Sequence, residues 1–281
     1  TADEFLAAKE PELPENEPQV RLKPRASALA DCARQQFYYM KNLDETDAEK
    51  PDMWLTQQQG RVMEDVSVAA IERAAPLIRV VDRQLALPAD YFVTGHPDGR
   101  LDWRYLHPRE ARHARELPDG RVWGFEHKHF GRYQYEQLLK EGLDGEAGTK
   151  LITQIAPYGD ALGWDACFLV VVSQDASSVR SDMTRNKAVK NEENLWATGE
   201  MNPKVLTYGV DLTEAKRDLV PLLKRRALAL AGAASEGTLP EPEYDPRPQG
   251  KAQKVEFPCS YCPYRTLCLD AGPAGMVRIP R

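Results

Sequence analysis

Asp98, Glu126 and Lys128 are the residues of this chain whose types and spacing best suit chemistry. Asp98 lies in the turn-like run Thr94-Gly95-His96-Pro97-Asp98-Gly99, and Trp123-Gly124-Phe125-Glu126-His127-Lys128-His129-Phe130 follows further on. The second run alternates as a half-buried strand does, with Trp123, Phe125 and His127 on one face and Gly124, Glu126 and Lys128 on the other. Glu126 and Lys128 then point the same way, about 7 Å apart along the strand. Two carboxylates suit a divalent cation such as Mg²⁺ or Mn²⁺, which prefers oxygen ligands. A lysine beside them orients or deprotonates an attacking water and offsets developing negative charge. Together they are a minimal set for metal-dependent phosphodiester cleavage. Alone, Glu-x-Lys is more often a surface ion pair, and Asp98 beside Gly99 can simply shape a turn.

The elements that must position these residues read as an α/β pattern. Helices are expected over 26–39, with Ser27 as N-cap, and over about 53–75, where Gly60, Met63, Glu64 and Ser67 share a face. Short strands are expected at 78–81, 86–87, 91–93 and 100–103, and residues 106–120 form the hairpin tip before the strand at 121–130. A helix after Tyr133 is broken between Gly142 and Gly148, and another over 150–162 places Gln154 and Tyr158 four apart on one face. Residues 165–173 are a continuous apolar run, the mark of a strand buried on both sides. Residues 174–204, with Arg180, Arg185, Lys187 and Lys190, read as an exposed insertion. A strand near 205–210 leads to a helix capped by Thr213 and running to 234, with Pro221 inside it as a source of a kink.

The 281 residues carry 28% charged and 42% hydrophobic side chains, ordinary for a soluble globular protein. No apolar run approaches the ~20 residues that span a bilayer, and no basic-then-apolar leader opens the chain, so the expected compartment is the cytoplasm. A net charge of −6 argues mildly against nucleic-acid binding. Much of that acidity sits in the first seventeen residues, where six acids face one lysine, so the sum does not decide the matter. Residues 1–20 read as an acidic, flexible N-terminal arm.

Five cysteines remain to be placed. Cys167 belongs to the buried apolar run and reads as core. Cys259-x2-Cys262-x5-Cys268 offers three thiolates where a tetrahedral zinc or a cubane iron–sulfur cluster needs four. Cys32 is the unassigned fourth candidate. Composition does not separate structural zinc from a [4Fe–4S] cluster, and disulfides suit the expected compartment poorly.

With these residues together, the chain resembles the RecB-like branch of the PD-(D/E)xK nucleases, and within it the iron-staple nucleases of the CRISPR-adaptation and AddB type. The resemblance rests on Gly60-x3-Glu64, Pro97-Asp98, Glu126-x-Lys128, Gln154-x3-Tyr158 and the one-plus-three cysteines, all in family order from about residue 26 to 270. It implies a restriction-endonuclease-like αβββαβ core, with a mixed central sheet flanked by helices and closed by the four-cysteine cluster. One nuclease domain would fill 21–281, with its catalytic core over about 53–212, a C-terminal helix at 213–234 and the cysteine tail at 250–270 joined to Cys32. Glu64, Asp98 and Glu126, with the backbone carbonyl of His127, would hold Mg²⁺ or Mn²⁺; Lys128 would complete the catalytic set. Met63 stands where the family often has histidine, which leaves Glu64 as the ligand. Gln154 and Tyr158 would bind DNA, and Cys32, Cys259, Cys262 and Cys268 would bind a [4Fe–4S] cluster. The implied activity is a DNA exonuclease acting on single strands or duplex ends, with protein partners in recombination, repair or CRISPR adaptation. An endonuclease or nickase, or a non-catalytic DNA-binding subunit of the same fold, are the alternatives. His127 and His129 read as packing or DNA-facing residues on the face away from Glu126.

Overall fold

The computed structural model describes residues 23–43, 51–104, 113–114, 119–173, 205–244, 247, 259 and 262–271. The expected arm at 1–20 and the basic insertion at 174–204 lie outside the described residues, as does most of the tip at 106–120.

Helix α1 spans Ala33–Met40 and α2 spans Pro51–Ala74. Strands β1 (Ile78–Val81), β2 (Gly99–Arg104), β3 (His113–Ala114) and β4 (Trp123–Phe130) follow. Helices α3 (Arg132–Glu141) and α4 (Glu146–Leu162) cross back to β5 (Ala166–Ser173) and β6 (Val205–Asp211). Helices α5 (Val220–Glu236) and α6 (Arg265–Ala271) complete the described chain. The sheet runs β1-β2-β4-β5-β6, with β3 added to β2; β4 and β5 are parallel and the other pairs antiparallel. It is therefore a mixed sheet, and helices cover both faces, so the expected α/β architecture is the one found.

Each face has its own core. Val80, Leu101, Phe125, Val170 and Val172 pack with Val68 and Ile71 of α2. Leu169 and Val171 face the other way, against Ile155 and Tyr158 of α4 and Leu223 and Ala227 of α5. Complete burial of a Leu or Ile is worth about 1.5–3 kcal/mol, so the two-sided burial of β5 anchors its neighbour β4. Their register pairs Glu126 with Leu169 and Lys128 with Val171, which places Glu126 and Lys128 on the α4 side. At the start of β4, Gly124 lies directly under Trp164. A Cβ built there would meet the indole at 1.9 Å, so only glycine admits the ring. Helix α4 ends at the left-handed Gly163 (φ 68°), and Asp165 then accepts the Val122 N–H at 2.9 Å. That junction fixes where β4 begins.

Several boundaries differ from expectation. Ser27 starts only the short 3-10 turn Ala26–Ala28, and α1 begins after Cys32, because Ala26 and Thr94 are tied by a backbone hydrogen bond that turns the chain first. Residues 86–87 and 91–93 form no strand: Leu87 and Val93 bury their side chains from irregular backbone. Thr213 does not supply the cap; its N–H is received by Asp211 at 2.8 Å. The proline at 221 is accommodated by a π-turn over Ala215–Leu219, where Val220 N–H reaches Ala215 O.

Candidate active site

The antiparallel pairing of β2 with β4 stops at Gly99↔Phe125. One residue earlier on β2, the Asp98 side chain takes over from the backbone, and its Oδ2 accepts the His127 N–H at 2.7 Å. The split between the two strands thus brings Asp98 against the Glu126–Lys128 segment. Lys128 Nζ donates to Glu126 Oε1 at 2.7 Å, and Gln154 Nε2 from α4 donates to the same oxygen at 2.5 Å. Glu126 is 1% exposed and its Oε2 is sealed in with no hydrogen-bond partner. Glu64 comes from α2, around the edge of the sheet. Gln84 Nε2 bridges it to Asp98, lying 3.0 Å from Asp98 Oδ1 and 3.4 Å from Glu64 Oε1.

Three carboxyl groups from far-apart segments are thus gathered with one ammonium. The electrostatics follow from that crowding. Burial, reinforced by the neighbouring Glu126 charge, pushes the Asp98 carboxyl up to about 8. Burial also raises Glu126, with Lys128 opposing it. For Lys128, burial works downward, but the facing carboxylates outweigh it and the ammonium is stabilised. An orphaned, buried carboxylate oxygen on Glu126, beside an Asp98 carboxyl whose pKa burial and the Glu126 charge raise, fits a place for a cation. Among the described residues, no three acid, histidine or cysteine side chains are already disposed to hold one ion. At this site Glu64 is engaged by Gln84 and by Arg83, whose NH2 lies 2.7 Å from Glu64 Oε1. Neither Arg83 nor Gln84 stood out in the sequence. They belong to no motif, and the turn that carries them gives no periodic signal.

Gln154 and Tyr158 are 7% and 2% exposed. Rather than facing outward to a strand, Gln154 braces Glu126, with Tyr158 Oη 3.5 Å behind it. The Tyr158 ring also closes on Gly95, where a Cβ would lie 2.7 Å away, so this helix supports both halves of the site. His127 lies on the face away from Glu126, buried, and burial lowers its pKa to about 4. On that same face His129 packs on α2, whose Gly60 would set a Cβ 3.6 Å from the His129 Cβ.

Cys32, Cys259, Cys262 and Cys268 line one cavity together with Arg34, Tyr38 and Arg265. Arg34 is 2% exposed and donates to Cys268 Sγ at 3.5 Å and to Pro240 O at 2.7 Å. Arg226 of α5 donates to Leu29 O and Asp31 O, which ties the approach to Cys32 onto the same side. Cys167 is fully buried in β5 and stands apart as core.

No protein-family model matches the chain, and no curated protein matches its sequence. Among solved structures it is similar to an alkaline exonuclease, LHK-Exo, from Laribacter hongkongensis. The identity is 12% and the TM-score 0.45, over 77% of this chain and 90% of that one. A phage-related exonuclease from Haemophilus somnus 129PT is similar at 13% identity and a TM-score of 0.44, over 77% of this chain and 96% of the other. Likeness at this level assigns no residue a role. Among the described residues no helix is long and apolar enough to cross a membrane.

Proposed function

We propose that this chain is a divalent-cation-dependent nuclease of the PD-(D/E)xK superfamily, in its RecB-like branch, hydrolysing DNA phosphodiester bonds from single-stranded or frayed ends. The observation that carries the reading is the gathering of Asp98, Glu126 and Glu64 around Lys128, with Glu126 Oε2 buried and unpartnered. Asp98, Glu126 and Glu64, with the His127 backbone carbonyl, would hold Mg²⁺ or Mn²⁺. Such an ion, when bound, polarises the scissile phosphate and makes water a stronger nucleophile. In the metal-free site the surrounding carboxylates stabilise the Lys128 ammonium, which suits it to orient water and to offset negative charge. Gln154 fixes Glu126 Oε1, which leaves Oε2 as the atom available to the cation.

The four cysteines would hold a [4Fe–4S] cluster. A zinc ion with Zn–S bonds of about 2.3 Å draws four sulfurs around one point. A cubane spreads them over the corners of a cluster; the cavity that all four thiols line beside the buried Arg34 supports a shared group, and the family resemblance is what favours the cluster over zinc.

The test is degradation of end-labelled single-stranded DNA with Mg²⁺, Mn²⁺ or EDTA, by wild type and by Glu126→Gln. Metal-dependent loss of label that Glu126→Gln abolishes supports the reading. Equal cleavage by the variant, or none by wild type with any divalent ion, refutes it. Circular single-stranded DNA should survive, because an end-directed enzyme has nowhere to start.

A further inference from the structure

The donors that occupy the acid cluster come from an unusual turn. Asp82 (φ 51°) and Gln84 (φ 55°) are both non-glycine residues in the left-handed region, a conformation that persists only where the surroundings impose it. The turn is stitched to the Asp98 motif by Gln84 N–H to Pro97 O at 3.1 Å, and Arg100 Nε holds Asp82 Oδ2 at 3.0 Å. Between these ties Arg83 reaches Glu64 and Asp65, 2.7 Å from each, and Gln84 spans Glu64 and Asp98. Both side chains belong to exposed residues at the rim of the site.

We propose that Arg83, positioned by this turn, couples cation binding to strand binding. The inference rests on the cation site proposed above. A cation and Arg83 compete for Glu64, since the guanidinium 2.7 Å from Oε1 already neutralises and orients the one carboxylate that the ion would draw on. A guanidinium drawn from a carboxylate at an exposed rim is best received by another anion that offers two oxygens to its fork, and a backbone phosphate of the incoming strand does so with its two non-bridging oxygens. Arg83 therefore trades Glu64 for a phosphate, and Glu64 becomes available to the ion only as DNA arrives. Without DNA the Glu64 carboxylate is held back from the cation by Arg83, and the ion binds more weakly. A purely structural Arg83, tying α2 to the turn, would set stability alone and leave the two affinities independent.

The experiment is calorimetric titration of the full chain with Mn²⁺, alone and with a cleavage-resistant phosphorothioate single strand. In wild type the oligonucleotide should tighten Mn²⁺ binding at least fivefold, within the usual range of coupling. In Arg83→Gln, Mn²⁺ alone should bind tighter than in wild type, and the oligonucleotide should change that affinity less than twofold. Arg83→Lys, which keeps a charge able to visit either anion, should retain more than twofold coupling. Full coupling in Arg83→Gln, or no coupling in wild type, overturns the proposal. Asp98→Asn separates the two levels of inference. If it titrates with Mn²⁺ as wild type does, the cation site itself is wrong and the coupling falls with it; if it does not bind Mn²⁺ while Arg83→Gln remains coupled, only the role of Arg83 fails.

Discussion

Lys128 and Glu126 should have very unequal effects on stability although both are expected to be needed for activity. Glu126 is 1% exposed, whereas the Lys128 side chain keeps 24% of its surface in solvent. Lys128→Met removes the ammonium and leaves a sealed carboxylate that keeps the Gln154 hydrogen bond but has no cation beside it. Leaving one member of a buried pair uncompensated costs about 3–5 kcal/mol. Glu126 limits that penalty by taking up a proton, because burial already raises its pKa. The expected loss is then about 2–4 kcal/mol at pH 8 and smaller at pH 6. Glu126→Gln leaves the partly exposed Lys128 side chain facing an amide oxygen that still accepts from Lys128 and Gln154, so it should cost less than Lys128→Met. The double variant should be more stable than Lys128→Met alone, since no buried charge remains. Urea denaturation in EDTA at pH 6 and 8 measures all three, and DNA cleavage should fall at least ~100-fold in each. A Lys128→Met variant no less stable than Glu126→Gln, or strictly additive losses in the double, would show that the buried pair does not have the energetics described.

Three further outcomes follow from the same geometry. The folded Asp98 carboxyl holds its proton up to about 8, against about 4 in an unfolded chain. Between those values the folded state binds the extra proton, so the metal-free protein should lose stability as pH rises from 5 to 8, by less than the ceiling of about 1.4 kcal/mol per pH unit, and Asp98→Asn should flatten that slope in urea melts. Gly124→Ala should cost about 1–3 kcal/mol or more, because its Cβ meets the Trp164 ring at 1.9 Å; an unchanged melting temperature and indole fluorescence would contradict that packing. Protein purified without oxygen should be brown, with absorbance near about 400 nm and iron that Cys268→Ser loses; a colourless protein carrying stoichiometric zinc would replace the cluster with a single ion.

Much of the fold was legible because burial writes a period into the sequence. The alternation through Trp123–Phe130 and the unbroken apolar run at 166–173 became neighbouring strands, and their pairing put Glu126 and Lys128 on one side. Local signals misled where tertiary ties overrode them. Ser27 carries a capping signature, yet the bond from Ala26 to Thr94 spends that segment on a turn. Leu87 and Val93 are buried without entering a ladder, so their hydrophobicity was read as strand. In the candidate site, the acids and Lys128 could be named because their types are chemically unusual in those settings. Arg83 and Gln84 could not, since their importance comes from a left-handed turn folding over Asp98 and not from any spacing. Gln154 was identifiable but its partner was not, because only the packing of α4 against the sheet reveals that it faces Glu126.

The cavity shared by Cys32 and Cys268 has a consequence for how the protein is made. One wall is supplied by Cys32 and the others by residues more than two hundred positions later, on and just before α6. The catalytic segments between them are therefore all translated before that chamber can exist. A group held there would be inserted after translation of the catalytic segments, and its later loss would release both distant parts of the polypeptide at once.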